Sequence, residues 1–221
     1  MKPAFQALLR PLAKNLAHAG VTPNQVTCVA CFFSLTLGLL MWLNPHDKLV
    51  FAIVPVFMVV RMGMNAIDGL LAKEHNMKTK LGAILNEITD VISDSALFLP
   101  FLKSLPVIPI SLIIFILLSM LSEMAGVLAI SIGSNRRYDG PMGKSDRAFV
   151  FGVLAIVIAL GVNLNGHLVN FVFIVLNFLV GWTILNRAKK ALQESPICLF
   201  FREKFISLNG KDQYPHRKLS A

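Results

Sequence analysis

An all-α, polytopic integral membrane protein, with six transmembrane helices preceded by a cytoplasmic interfacial helix, is the fold class that this sequence predicts. Three observations support it: the composition, six long apolar stretches, and a one-sided distribution of basic residues. The 221 residues are 55% hydrophobic and 15% charged, whereas soluble domains average about 45–50% apolar and about 25% charged. These charges are too few to cover a water-facing surface. The composition argues against a soluble enzyme, a disordered chain and a secreted disulfide scaffold.

Residues 1–20 predict an amphipathic helix that lies on the membrane surface. Its apolar positions near helical spacing are Phe5, Leu8, Leu9, Leu12 and Leu16. Arg10 and Lys14 interrupt any apolar run of the kind that a signal peptide needs, so we do not interpret the segment as one. Pro11 is expected to kink or break the helix. An interfacial helix of this kind buries its apolar face at the boundary between headgroups and acyl chains.

Six apolar stretches follow, and each has about the length that crosses a bilayer, roughly 17–25 residues. They cover about residues 26–43, 49–72, 82–104, 107–132, 147–163 and 167–186. The fifth stretch is the shortest, and the third is unusual because polar residues occupy its first half. We therefore predict three regions: a surface helix (1–20), a six-helix transmembrane domain (21–186) and a basic cytoplasmic tail (187–221).

The basic residues lie mostly on one side of this topology. Eighteen of the 21 Lys and Arg residues fall in the N-terminal segment, the second and fourth loops and the tail. Lys48 and Lys103 belong to the opposite loops, and Arg61 lies within a span. The positive-inside rule therefore predicts that both termini are cytoplasmic. The net charge of +9 indicates contact with an anionic lipid bilayer, and no nucleic-acid partner is expected.

Polar residues cluster near the cytoplasmic ends of the second and third spans, where an ionisable group costs roughly 2.5–3.5 kcal/mol on insertion scales. Asn65 and Asp68 are three residues apart and share one helix face. Asn86, Asp90 and Asp94 repeat every four residues and form a stripe on the next span. A short loop joins the two spans, so we expect the two faces to meet. Carboxylate and amide oxygens are ligands for hard cations such as Mg²⁺, Mn²⁺ or Ca²⁺.

The spacing of these residues resembles the signature of the CDP-alcohol phosphotransferases, D-x2-D-G-x2-A-R-x8-G-x3-D-x3-D. The matching positions are Asn65, Asp68, Gly69, Ala72, Lys73, Gly82, Asn86 and Asp90. Every gap agrees, including the gap of eight residues, and a long motif with fixed gaps is specific. Residues 23–27, Pro-Asn-Gln-Val-Thr, resemble the P-N-x-x-T that family members often carry there. The segments N-A-x-D-G, L-N-E and G-K-S-D-R resemble a bacterial branch of the family.

The resemblance implies a transferase of phospholipid biosynthesis in the bacterial inner membrane. A CDP-alcohol, commonly CDP-diacylglycerol, binds through its pyrophosphate to one or two Mg²⁺ or Mn²⁺ ions. An acceptor hydroxyl then attacks the phosphorus, and CMP leaves. The implied metal ligands are Asn65, Asp68, Asn86 and Asp90, the last of which is also the implied general base. The implied nucleotide-binding positions are Asn24, Thr27, Gly69, Ala72, Lys73 and Gly82. From the residues alone, Asn24 and Thr27 could instead cap the first span.

Three positions depart from the family signature: Asn65 and Asn86 replace aspartates, and Lys73 replaces an arginine. Amide oxygens can ligate a metal, but they bring no negative charge. Three explanations stay open: one ion binds instead of two, Glu87 and Asp94 contribute to the site, or catalysis has been lost. Asp94 lies on the polar stripe one turn deeper, whereas Glu87 lies about 100° away around the helix.

Four basic side chains gather just before the fifth span. They are Arg136, Arg137, Lys144 and Arg147, called the basic patch below. One interpretation is that the basic patch reflects the positive-inside topology and contacts anionic lipid. The other is that it binds a phosphate of the acceptor or of the lipid, which is the role that the resemblance implies.

Two ionisable residues inside spans, Arg61 and Glu123, join Glu87 and Asp94 as auxiliary candidates for the site. Arg61 is expected to neutralise Asp68 or a neighbouring acid, and the sharper alternative is contact with a substrate phosphate. Glu123 is expected to pair with Arg61, because an unpaired buried carboxylate is costly. Capping a polar cavity and contacting the acceptor are the alternatives for Glu123.

Three functions compete for this sequence. The first is a membrane transferase that uses a CDP-alcohol lipid, and the second is a transporter whose acids move protons or cations. The acids cluster at one end of two spans and no inverted repeat is visible, which argues against the transporter. The third is a non-catalytic relative that serves as a membrane scaffold, which the Asn substitutions keep open. The acceptor (glycerol phosphate, serine, inositol phosphate or a second lipid) and a homodimer, common in the family, also stay open.

Overall fold

The computed structural model describes residues 3–195, with side chains from residue 5 onwards, and this part of the chain is helical apart from turns and loops. Its helices are α1 (Pro3–His18), α2 (Pro23–Leu43), α3 (Lys48–Glu74), α4 (Lys80–Phe98), α5 (Phe101–Ser104), α6 (Pro109–Ser131), α7 (Lys144–Ala159) and α8 (Gly166–Gln193). The all-α prediction is confirmed for these residues. Most of the predicted tail, residues 196–221, lies outside the described part.

Helix α1 runs through Pro11 without a break, so the break expected there is wrong. Pro11 lies in the third turn and cannot donate to the carbonyl of Ala7, and the helix continues past this missing hydrogen bond. Ala13 is buried, and α1 packs against Ile67 and Leu71 of α3. Arg10 donates to Glu74 at the end of α3, with 3.0 Å between Nε and Oε1. Helix α1 is thus fastened to the helix that carries the first half of the motif, and its place on the membrane surface stays a prediction.

Four helices of the described part, α2, α3, α6 and α8, are long and apolar enough to cross a membrane. The predicted third span corresponds to α4, which ends at Phe98, and to the short α5 behind Pro100. The predicted fifth span is α7, whose 16 residues reach about 24 Å along the axis at 1.5 Å each. That is short of the roughly 30 Å hydrocarbon core. Four of the six predicted spans are therefore long and apolar enough to cross a membrane. That α4 and α7 also cross it stays a prediction.

The bundle is apolar outside and carries charge inside. Large apolar side chains such as Phe32, Ile53 and Phe171 are exposed on the outer surface, whereas Arg147 and Arg187 are almost completely buried. A water-soluble bundle has the opposite arrangement, because water solvates charged groups and excludes apolar ones. This arrangement is the one that a hydrocarbon surrounding requires.

Helix starts are fixed close to the motif. Thr22 is the N-cap of α2 and forms a capping box with Gln25. Thr79 is the N-cap of α4 and accepts a hydrogen bond from the backbone N–H of Gly82, at 2.9 Å. The capping alternative for Asn24 and Thr27 is therefore wrong. Thr22 takes that position because Pro23 supplies the first helical residue, where a missing N–H costs nothing.

Candidate active site

The two halves of the spaced motif meet between α3 and α4. Asn65 and Asp68 are on α3, in the half of that helix next to the α3–α4 loop. Asp90 lies on α4, and its Oδ1 accepts a hydrogen bond from Nδ2 of Asn65 at 3.2 Å. Asn86 is half-buried one turn earlier on the same helix. The structure thus brings together residues 25 positions apart, as the periodicity of the two helices predicts.

Asp68 is buried and is held from a third helix. Its Oδ2 accepts a hydrogen bond of 2.9 Å from the hydroxyl of Thr27, near the start of α2. Both Thr27 and Asp68 are about 7% exposed. The predicted nucleotide-binding threonine therefore contacts a predicted metal ligand and ties α2 to the motif.

Asp90 lies among cations. Its Oδ1 forms an ion pair with the ammonium group of Lys144, the first residue of α7. The guanidinium of Arg61 is 3.6 Å from the same oxygen and donates to the backbone carbonyl of Asp90 at 3.2 Å. The carboxylate is 17% exposed, so it keeps access to the surface. Asp90 is thus positioned from α3, α4 and α7 together.

A second set of ion pairs lies deeper in the bundle. Arg61 donates to Asp94 at 2.5 Å, so the acid that Arg61 neutralises is a neighbour of Asp68 rather than Asp68 itself. Arg147 lies between Asp94, at 3.5 Å, and Glu123, at 2.7 Å. The predicted pair between Glu123 and Arg61 is wrong, because Asp94 stands between them and takes the Arg61 guanidinium.

Arg187 belongs to this deeper set, and the sequence analysis missed it. We had placed it at the start of the tail, but α8 continues to Gln193. The Arg187 side chain is 2% exposed, lies 3.4 Å from Glu123 and donates to the backbone carbonyl of Ser122 at 2.5 Å. The signal was helical spacing: Val180, Thr183 and Arg187 are buried at intervals of three and four residues. An arginine on that face points into the bundle.

Glu87 faces away from the polar stripe. It forms an ion pair with Arg136, whose guanidinium also lies 3.6 Å from Glu123 and over the ring of Tyr138. The offset of about 100° from the stripe explains this direction. Glu87, Asp94 and Glu123, the three auxiliary carboxylates, are therefore all engaged by arginines.

All four members of the basic patch have internal carboxylate partners. Arg136 pairs with Glu87, Lys144 with Asp90, and Arg147 with Glu123. Arg137 pairs with Asp139 at 2.8 Å and with Glu194 at 2.5 Å.

Asp139 lies in the connection between α6 and α7, outside the helices. Partial burial acts to raise the pKa of Asp139. Hydrogen bonds from Lys190 and Arg137 outweigh burial and hold that pKa below its ordinary value of 3.8. The basic patch as a phosphate site stays a prediction.

The glycines of the motif differ in their surroundings. A side chain at Gly69 would meet no atom within 4 Å, so α3 presents open space at this point. A Cβ at Gly82 would lie 2.9 Å from the hydroxyl of Thr79 and closer still to the amide oxygen of Asn24. Gly82 therefore allows α4 to approach α2 closely, whereas Gly69 leaves room for a ligand. Of the other two nucleotide-binding candidates, Ala72 is half-buried and Lys73 is exposed.

Two cavities adjoin the motif. One of about 50 Å³ lies between α3 and α7 and is lined by Arg61, Asn65 and Lys144 among others. A larger groove of about 410 Å³ runs between α4 and α6, with Glu87 and Glu123 among apolar side chains. The first is next to the Asn65–Asp90 contact, and the second has the apolar lining that a lipid chain would require.

The motif supplies only hard oxygen donors. Asp68 and Asp90 contribute carboxylates, and Asn65 and Asn86 contribute amides. Among the described residues, no group of three or more His, Cys, Asp or Glu side chains could hold a metal ion. Two carboxylates with two amides fit one hard divalent cation, because each further ion needs additional negative charge to balance it.

Comparisons with known proteins find a matching family model and several similar proteins. The family model of CDP-alcohol phosphatidyltransferase matches residues 20–185. The inner membrane protein YnbA of Escherichia coli is 43% identical over 196 residues, which are 87% of this chain and 94% of that protein. Phosphatidylinositol phosphate synthase of Corynebacterium glutamicum is 39% identical over 97 residues, 44% of this chain and 42% of that enzyme.

Solved structures agree with the fold. A crystal structure of Mycobacterium tuberculosis phosphatidylinositol phosphate synthase with CDP-DAG bound matches with a TM-score of 0.66 at 22% identity, covering 84% of this chain and 94% of that one. The same enzyme in complex with manganese and citrate also has a TM-score of 0.66, covering 84% of this chain and 89% of that one. At this identity the likeness shows the fold.

Proposed function

The chain belongs to the CDP-alcohol phosphatidyltransferase family, and on that premise we propose that it transfers a phosphatidyl group from CDP-diacylglycerol to an acceptor hydroxyl and releases CMP. One observation carries the proposal: Asn65 and Asp90, from the two halves of the motif, are in contact at 3.2 Å. The solved relative with CDP-DAG bound supports the choice of donor substrate.

The chemistry requires a base and positive charge at one place. The acceptor oxygen forms a bond to the phosphorus of the phosphatidyl group, and the bond from that phosphorus to the bridging oxygen of CMP breaks. Asp90 takes the proton of the hydroxyl, and CMP leaves with the electron pair. The ammonium group of Lys144, already paired with Asp90, lies where it can balance phosphate charge. The open space at Gly69 admits the nucleotide close to α3.

We propose one divalent cation, Mg²⁺ or Mn²⁺, held by Asp68 and Asp90 with the amide oxygens of Asn65 and Asn86. When bound, such an ion neutralises charge on the pyrophosphate. The solved relative in complex with manganese supports a divalent metal. A single ion agrees with the burial of Asp94 between Arg61 and Arg147, whereas the side chain of Asp90 keeps 17% exposure.

The site, both termini and the basic patch are proposed to face the cytoplasm, with six spans in the inner membrane. The relative named as an inner membrane protein supports this location. Single cysteines at positions 46 and 165, in a variant without native cysteines, should react with an impermeant reagent from outside. Cysteines at 75 and 140 should react only after permeabilisation. Labelling at 75 in intact cells would reverse the orientation.

Purified full-length protein in phospholipid micelles tests the activity. We expect CMP release from CDP-diacylglycerol with a panel of acceptors, stimulated by Mg²⁺ or Mn²⁺ and abolished by EDTA. Asp68→Asn should abolish the metal-stimulated release, because it removes one of two charged ligands. Asp47→Asn is the matched control: Asp47 caps the opposite end of α3, and Asn is an equally good cap. Metal-stimulated release that persists in Asp68→Asn would remove Asp68 from the site.

A non-catalytic scaffold is the second candidate, and the observation that favours it is the pair of uncharged amides at Asn65 and Asn86. If catalysis has been lost, the wild type should release no CMP, and Asn65→Asp combined with Asn86→Asp should create the activity. In an active one-metal site, Asn86→Asp should strengthen metal binding without being needed. An inactive wild type with an active double variant would establish the scaffold.

A further inference from the structure

Three arginines converge on one buried carboxylate beside the motif. An oxygen of Glu123 lies 2.7 Å from the guanidinium of Arg147 and 3.4 Å from that of Arg187. The other oxygen lies 3.6 Å from the guanidinium of Arg136. We call these four residues the arginine cluster. Its three arginines come from α7, α8 and the connection between α6 and α7, so the tertiary fold has brought them together.

Convergent guanidinium groups from separate elements are the usual means by which proteins bind phosphate, because each offers two parallel donors. Here the chain supplies the anion itself. Arg147 is 0% exposed, Arg187 2% and Glu123 8%. Glu123 is therefore a fixed part of the folded structure. Its removal would leave the buried arginines with uncompensated positive charge.

On the side of Asp94 and Arg147, the arginine cluster has no room for a second anion, and the groove that Glu123 also lines is otherwise almost entirely apolar. The cavity bounded by Asp94, Glu123 and Arg147 holds about 10 Å³, which is about the space of a single water molecule. The Nε of Arg147 is buried without an acceptor in the described residues, and one water would satisfy it. A phosphate group, with five non-hydrogen atoms, does not fit.

Charge also opposes a second anion. Arg61 and Arg147 share Asp94, and Arg136 is paired with Glu87 as well as with Glu123. A phosphomonoester carries about two negative charges and would be brought beside these fixed carboxylates. Like charges held next to one another cost several kcal/mol in a buried interface.

We propose that Glu123 is a built-in anion that determines acceptor specificity, so that the acceptor is an alcohol without a phosphomonoester group. Glu123 occupies the arginines that would otherwise bind an acceptor phosphate. The proposal rests on the transferase function above. Under it, Arg136 and Arg147 of the basic patch have a structural role, because they pair with Glu123. Lys144 is then the member of the basic patch that stays at the reacting groups, through its contact with Asp90.

The first test compares acceptors in the CMP-release assay with wild-type protein. Glycerol, serine and inositol are set against glycerol 3-phosphate and inositol phosphate at equal concentrations. We expect kcat/KM at least tenfold higher for the acceptors without phosphate. A preference for the phosphorylated acceptors would overturn the proposal while leaving the transferase function intact.

A second test does not depend on turnover. Binding of radiolabelled inorganic phosphate to the purified full-length protein is measured by equilibrium dialysis with EDTA present. Wild type should show no saturable binding up to millimolar phosphate. Glu123→Ala, which removes both the negative charge and the volume of the side chain, should bind phosphate with a Kd at least tenfold below the highest concentration tested. The matched control is Glu194→Ala, which removes a carboxylate from Arg137 outside the arginine cluster and should gain nothing.

Saturable phosphate binding by wild type with the affinity of Glu123→Ala would overturn the proposal, as would a folded Glu123→Ala protein that gains no binding. Should Glu123→Ala fail to fold, the wild-type dialysis and the acceptor comparison still decide. Failure of the transferase function has a different signature: no acceptor releases CMP, while the dialysis result for Glu123 is unchanged.

Discussion

In the half of the bundle away from the motif, five phenylalanines from α4, α5, α6, α7 and α8 pack into one cluster. They are Phe98, Phe101, Phe115, Phe151 and Phe173, and all are at most 1% exposed. Phe151 is central: its ring stacks on Phe98 with centroids 3.9 Å apart and meets the other three edge-on or tilted. Packing of this kind is non-directional and tolerates small shifts.

The half that carries the motif is held by ion pairs instead. Arg61, Asp94, Arg147, Glu123 and Arg187 form a continuous chain of buried charges across five helices. Each group needs its partner in place, because an unpaired charge in the interior costs several kcal/mol. The phenylalanine cluster thus provides stability that is insensitive to detail, and the ion pairs provide the geometry that chemistry requires.

Asp90→Asn should have the largest effect, and it should fall on turnover. Removing a positioned base lowers kcat by roughly 10²–10⁴-fold. Affinity for CDP-diacylglycerol should fall less than kcat, because Asp68, the two amides and the ammonium group of Lys144 still contribute to binding. CMP release at saturating donor and the KM for the donor measure the two effects. A variant with normal kcat would show that another group accepts the proton.

Phe151→Ala should have the largest effect on stability. Truncation of a central buried phenylalanine costs about 3–5 kcal/mol, since it leaves a cavity among four rings. Thermal unfolding in detergent measures the loss. Phe171→Ala is the matched control, because Phe171 is 63% exposed on the outer face of α8 and loses no internal packing. Equal losses in the two variants would show that the aromatic cluster does not stabilise the bundle.

Arg61→Met should also destabilise, by about 3–5 kcal/mol, because Asp94 loses its shorter ion pair. Here a second change should compensate: Arg61→Met with Asp94→Leu should recover part of the loss, since no unpaired carboxylate remains and Arg147 keeps Glu123. Unfolding free energies of the two single variants and the double variant give the coupling. Strict additivity would contradict a direct pair.

The smallest effect is on the pH dependence of stability, through Asp139. The pKa of Asp139 is lower in the folded protein than its ordinary 3.8, so its pairs with Arg137 and Lys190 contribute stability above about pH 4. That contribution should be lost as the pH falls below 3.8, through the folded-state pKa. Asp139→Asn should therefore lower the unfolding temperature at pH 7, and the difference from wild type should shrink in acid. A difference that grows in acid would show that the pKa of Asp139 is raised in the folded protein rather than lowered.

Much of the site could be predicted from the sequence, because its signals are local. Helical spacing places Asn65 and Asp68 on one face and Asn86 and Asp90 on another, and the family predicted from the fixed gaps is confirmed by the match over residues 20–185. The helical class of the described residues is confirmed for the same reason. Apolar length and periodicity are properties of a single segment.

The partners of the charged groups could not be predicted in the same way. Glu123 was expected to pair with Arg61, and Arg187 was assigned to the tail, since nothing within one helix says which neighbour a long side chain reaches.

The sequence by itself determined an apolar helical bundle, the family, and the two faces that form the motif, because these depend on spacing along one helix at a time. Only the tertiary structure decided that Asp90 meets Lys144 and that three arginines meet at Glu123. The residues of each contacting pair are separated by 13 to 64 positions in the sequence and lie on different elements. Their contacts depend on how the helices cross, and a low-dielectric interior then selects the arrangement that leaves the fewest charges unpaired.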